Sequence, residues 1–174
     1  SLDLGIVVDA TLRQLDAWYN EPSEGGDRPK LLAKLAILEL CGWLEGEFDR
    51  LALVAESGRL GDAAWVQSKV IENTNGFAYA EHWRPMLQKI VGEVFVRRVE
   101  QQMEAAVPGD LDRLKGYLKA LWMLRCSFAH ADVNANIAAQ QTFNAPSWSI
   151  NQHRIIKKLL TRYETEMLAV LGAI

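Results

Sequence analysis

Leu111-Asp-Arg-Leu114-Lys-Gly-Tyr-Leu118-Lys-Ala-Leu121-Trp-Met-Leu-Arg125-Cys-Ser-Phe-Ala-His130 is the stretch from which the fold can be read. Leucines at 111, 114, 118 and 121 step by three and four residues, the spacing of one face of an α-helix. Asp110 stands where an N-cap belongs, directly after the breaker Pro108-Gly109. The next position on the leucine stripe is Arg125. A guanidinium cannot deprotonate to escape burial, so an arginine steered toward a core needs an anion or water beside it.

The same period extends outward along the chain. The spacing predicts a first helix over Leu4–Tyr19, ended by the Gly- and Pro-bearing run 20–27. A second begins near Pro29 and reaches about Ser57, with Gly58 as C-terminal cap. A third spans Asp62–Asn73 and stops at Asn75-Gly76. A fourth region covers Ala78–Ala106, kinked at Pro85 and divided at Gly92. The fifth helix is expected over Leu111–Arg125, and residues 131–148 as a long loop. Ser149 is expected to cap a last helix over Ile150–Leu171. No run alternates with period two between turn dipeptides, as a hairpin would require. The expectation is an all-α fold: one domain over residues 1–174, a bundle of five to six helices.

Composition agrees. The chain has 174 residues, the size of one domain, with 49% hydrophobic and 24% charged residues. A net charge of -3 argues against a general polyanion binder and confines any nucleic-acid contact to a local basic site. Two cysteines, Cys41 and Cys126, show no ligand spacing, so neither a metal site nor a disulfide framework is expected, and no cofactor is implied. No apolar run is long enough to span a membrane, and the start lacks a basic leader. Ser1 in place of Met reads as a processed start, and the expected compartment is the cytoplasm.

The second helix poses the converse of the Arg125 problem. Its polar face runs through Lys30, Lys34, Glu45 and Asp49, and Glu39 lies off it, among Leu35, Ala36, Gly42 and Trp43. Glu39 is therefore the expected partner of Arg125. A pair that merely joins two helices explains these residues as well as a catalytic role does.

His130 follows Arg125 by five residues. In an unbroken helix the two would point about 140° apart, so they converge on one ligand only where the helix ends or unwinds. Together they suit phosphate chemistry: a histidine titrates near neutrality and transfers protons, and an arginine gives fixed charge stabilisation. One histidine does not serve both sides of a phosphate, which favours a symmetric dimer.

The Arg-x4-His spacing at the end of a core helix resembles the HEPN superfamily. Lys34-Leu-Ala-Ile-Leu-Glu-Leu-Cys-Gly-Trp-Leu-Glu45, Phe77-Ala-Tyr-Ala-Glu-His-Trp-Arg-Pro-Met-Leu87, Arg125–His130 and Ala145-Pro-Ser147 are similar to the RiboL-PSP-HEPN group over residues 30 to 170. The resemblance implies a homodimeric helical bundle with the two motifs facing across a cleft. It also implies a metal-independent endoribonuclease in toxin–antitoxin, phage-defence or RNA-processing systems. Its partners would be RNA and an antitoxin or other regulatory protein, with no membrane. Arg125 would hold the phosphate and His130 would be the acid and base. The family's arginine is often followed by a polar residue, whereas Cys126 stands here, a weak hydrogen-bonding group; Ser127 is the residue expected to take over. The same resemblance also covers catalytically silent dimerisation or RNA- and nucleotide-binding modules.

Tyr79, Trp83, Met86 and Ile90 form a stripe that reads first as core. Tyr79 and the flanking His82 and Arg84 are kept as candidates for RNA contact. Arg97-Arg98 and Lys157-Lys158, with Arg154 and Arg162, read as solvated faces that could also meet phosphates. His153 has no evident partner. Gly-rich phosphate loops and zinc-hydrolase or serine-hydrolase signatures are missing from the sequence.

Overall fold

The computed structural model describes residues 4–22, 26–57, 61–129 and 144–172. Among these residues the structure is all-helical, without strands. The order is α1 (Leu4–Tyr19), α2 (Arg28–Ser57), α3 (Ala63–Val66), α4 (Arg84–Val91), α5 (Glu93–Ala106), α6 (Asp110–Ala129) and α7 (Pro146–Gly172). Two π-helical turns join them, Gln67–Ile71 after α3 and Tyr79–Trp83 before α4. None of the described helices is long and apolar enough to cross a membrane.

The chain forms two compact units. Unit 1 comprises Ser1–Leu44 and Ala120–Ile155, and unit 2 comprises Glu45–Lys119 and Ile156–Ile174. Helices α2, α6 and α7 each contribute a segment to both. Unit 1 buries Leu12 and Leu15 of α1, Ile37, Leu40 and Leu44 of α2, and Leu121 and Phe128 of α6. Unit 2 buries Phe48, Phe77, Trp83, Phe95, Leu114, Leu118 and Tyr163. Phe48 lies on Trp83 with ring centroids 4.6 Å apart. Arg50 of α2 clamps Glu164 of α7 through two hydrogen bonds of 2.8 and 2.7 Å.

Local chemistry sets the element boundaries. Asp62 caps α3, its side chain accepting from the Trp65 backbone N–H at 2.9 Å. Pro85 has no N–H for the carbonyl four residues back, and the widened π turn lies directly ahead of it. Gly92, with φ of 85°, divides the fourth region as expected. The count is seven α-helices among the described residues, because that region splits in two.

The third helix, expected over Asp62–Asn73, is the short α3 and the π turn that ends at Ile71, and two boundaries of the longer helices also differ from expectation. Helix α6 does not stop at Arg125 but runs to Ala129, since Phe128 continues the buried stripe. The expected loop ends earlier: Pro146 opens α7, a position where a missing N–H costs nothing, so Ser149 is a fully buried helical residue and not a cap. Gly58, His130 and residues 131–143 of the expected loop lie outside the described residues.

Gly92 and Gly116 give opposite predictions. A Cβ on Gly116, inside α6, meets nothing within 4 Å. Gly116→Ala is expected to raise unfolding stability by about 0.5–1 kcal/mol through helix propensity and a less flexible unfolded chain. Gly92→Ala, strained at positive φ, is expected to lower it by about 1 kcal/mol. Urea denaturation measures both, and equal shifts would contradict the assignment.

Candidate functional site

Arg125 sits in unit 1, near the C-terminal end of α6. The four leucines before it on the stripe are buried, and so is Phe128 after it, but Arg125 itself is half-buried. Its guanidinium lies over the Trp122 ring, 5.3 Å from the centroid. The arginine therefore interrupts the buried stripe between Leu121 and Phe128.

Glu39 does not share that environment. It is exposed on α2, on the same side as Leu35, Leu38 and Gly42, which are also exposed. Of the neighbours that suggested burial, Ala36 and Trp43 are buried, but Leu35 and Gly42 face outward with Glu39, and a hydrated carboxylate needs no cationic partner. The argument for a Glu39–Arg125 pair is thereby removed.

Cys126 is a free, half-buried thiol. Ser127 is exposed, and its hydroxyl donates to the Leu124 carbonyl at 2.7 Å, so its proton is committed to its own helix. His130 lies outside the described residues.

Tyr79 and Arg84 are brought together in unit 2 on a carboxylate that sequence reasoning passed over. The Arg84 Nε and the Tyr79 hydroxyl both donate to Glu100 Oε1 at 2.9 Å. Arg84 Nη2 also donates to Glu93 at 2.9 Å, and Arg97 Nε donates to the same Glu93 oxygen at 2.7 Å. The Tyr79 and Tyr163 hydroxyls are 3.4 Å apart, and Lys115 lies 5.5 Å from the Tyr79 ring centroid. Burial, and then the neighbouring Tyr163, hold the Tyr79 phenol protonated far above its ordinary range. The Arg84 guanidinium is held charged by Glu93 first and Glu100 second. A trace of this network exists in the sequence: Glu93, Arg97 and Glu100 fall at i, i+4 and i+7 on one face of α5. His82 packs its ring on Gly76, where an added Cβ would lie 2.6 Å from Nε2.

Arg162 and His153 also have structural partners. Arg162 pairs with the buried Asp110, which Arg113 binds as well at 3.1 Å. Asp110 is thus the first residue of α6 and binds two arginines there. Arg98 lines a shallow open groove with Gln101, Gln102, Ala105 and Val170. In unit 1, His153 is buried edge-on against Trp43, with centroids 4.5 Å apart and Nδ1 3.8 Å from Asp9. The hydrogen bond from Arg13 holds the Asp9 carboxyl below its ordinary range. Among the described residues, no three His, Cys, Asp or Glu side chains cluster as a metal site would need.

Comparison with models of known families, with curated proteins and with solved structures finds no match.

Glu93 makes the unit 2 network sensitive to acid. Hydrogen bonds from Arg84, then Gln88 and Arg97, lower its carboxyl from 4.5 to about 2. A depressed carboxyl contributes stability above its unfolded value, and that contribution is lost as pH falls through the folded value. The wild type is therefore expected to lose melting temperature between about pH 4.5 and 2 more steeply than Glu93→Gln. Parallel curves for the two proteins across that window would show that the network does not hold Glu93 ionised.

Proposed function

We propose that this chain is a metal-independent endoribonuclease of the HEPN type. It acts as a homodimer in the cytoplasm, in a toxin-like or defence role. RNA is its substrate, and an antitoxin or other regulatory protein is its partner. The observation that carries the reading is the position of Arg125. It follows four buried leucines on the stripe of α6, lies over Trp122, and precedes His130 by five residues.

The chemistry follows from those two groups. His130 takes the proton of a ribose 2′-hydroxyl, and the 2′-oxygen attacks the adjacent phosphorus. The bond to the 5′-oxygen breaks, leaving a 2′,3′-cyclic phosphate. The departing oxygen receives its proton from the His130 of a second copy, which removes the need for one imidazole to act on both sides. Arg125 stabilises the charge that builds on the non-bridging oxygens.

A second reading is favoured by two neighbours. Cys126 occupies the place where a polar residue is expected, and the Ser127 hydroxyl is bonded to Leu124. These suit a catalytically silent dimerisation module that binds RNA or a nucleotide.

Incubating a mixed RNA pool in EDTA with wild type, Arg125→Ala and His130→Ala separates the two. The ribonuclease reading expects 2′,3′-cyclic phosphate ends from wild type and a loss of about 100-fold or more in each variant. Cleavage surviving both substitutions, or abolished by EDTA, would overturn it. RNA retained by wild type without cleavage would support the silent module.

A further inference from the structure

Helix α2 is apolar on two sides. One side is the unit 1 core, through Ala33, Ala36, Ile37, Leu40, Cys41 and Leu44. The other is outward: Leu31 is 50% exposed, Leu35 41% and Leu38 37%, and Gly42 continues the line, also exposed. At 100° per residue these four fall within an arc of about 60°. Leu31, Leu35 and Leu38 step by four and three, the a/d spacing of a helix that pairs with another helix.

The flanks indicate which helix that is. Lys34 lies about 70° to one side of the stripe's centre and Glu39 about 70° to the other. With Leu35 at a and Leu38 at d, Lys34 occupies g and Glu39 occupies the following e. In a parallel pair, g of one helix faces e of its partner five residues on. A second copy of the same helix, related by a two-fold axis along α2, places Lys34 against the partner's Glu39, and Glu39 against the partner's Lys34. An antiparallel pairing would join like flanks instead. Gly42 is consistent with a close approach. It is a poor helix former in mid-helix, and a Cβ there would meet nothing within this chain.

We propose that the Leu31–Gly42 face of α2 is the seam on which a second copy of this chain docks, in parallel, with Lys34 and the partner's Glu39 paired on both flanks. This deepens, and rests on, the homodimer part of the reading above. Within unit 1, Lys34 reaches α6, its ammonium 5.8 Å from the Phe128 ring centroid. Phe128 is three residues beyond Arg125, so a copy seated on this face lies beside the end of α6 that carries Arg125.

The test is sedimentation of the full chain over a range of concentrations, with Leu38→Arg, Lys34→Glu, Glu39→Lys and the Lys34→Glu/Glu39→Lys double variant. The three positions changed are exposed or half-exposed, and circular dichroism checks that helix content is kept. The wild type is expected as a dimer and Leu38→Arg as a monomer. Each single reversal sets like charges together on both flanks and should weaken the dimer roughly tenfold. The double variant restores both pairs with their signs exchanged and should recover to within about threefold of wild type. A monomeric wild type, a dimer indifferent to Leu38→Arg, or a double variant no better than its weaker single would overturn the proposal. RNA cleavage is scored separately: a recovered charge cycle without cleavage upholds the seam and removes the ribonuclease reading. Cleavage by a dimer insensitive to the cycle does the reverse.

Discussion

The leucine stripe of α6 is the constraint on which the architecture turns. Leu111, Leu114, Leu118 and Leu121 must leave water together, and only a helix puts all four on one face. The helix that satisfies them contributes to both compact units. Phe128 extends the burial by another turn, which carries α6 past Arg125 to Ala129. Arg125 is the one long cation on this stripe. It is half-buried there, and its guanidinium lies over Trp122.

Unit 2 handles buried polarity differently. Glu100 accepts from both Arg84 and Tyr79, and Asp110 is bound by both Arg113 and Arg162. In each case a carboxylate shielded from water has two donors, which offsets the cost of removing its hydration. Arg84 and Arg162 are occupied in holding helices to one another, and Arg113 binds within its own helix. A basic residue on an amphipathic helix is thus weak evidence for a nucleic-acid contact until its intramolecular partners are known.

Helix α2 shows why exposure matters more than sequence neighbourhood. Glu39 is surrounded by apolar residues along the chain; Ala36, Ile37, Leu40 and Cys41 are buried, but Leu35, Leu38 and Gly42 face outward with it. The same fact that frees Glu39 from any duty toward Arg125 turns Leu31, Leu35 and Leu38 into a surface feature. A helix apolar on two sides has more hydrophobic area than one core can cover.

The sequence by itself determined the all-helical class, most helix boundaries, and the division at Gly92. Those depend on local periodicity, capping and backbone freedom, which act over a few residues. It also marked Arg125 as anomalous, because four leucines define where the fifth stripe position points. Only the tertiary structure decided the partners. Whether Arg84 meets Glu100, Asp110 meets Arg162, or Ser149 is buried depends on segments far apart in the chain packing side by side. Glu39 gives the converse case: its exposure reflects which of two apolar faces of α2 the core used. Local pattern can show that a face is apolar, but not which face is covered, since that choice is made by the helices that pack against it.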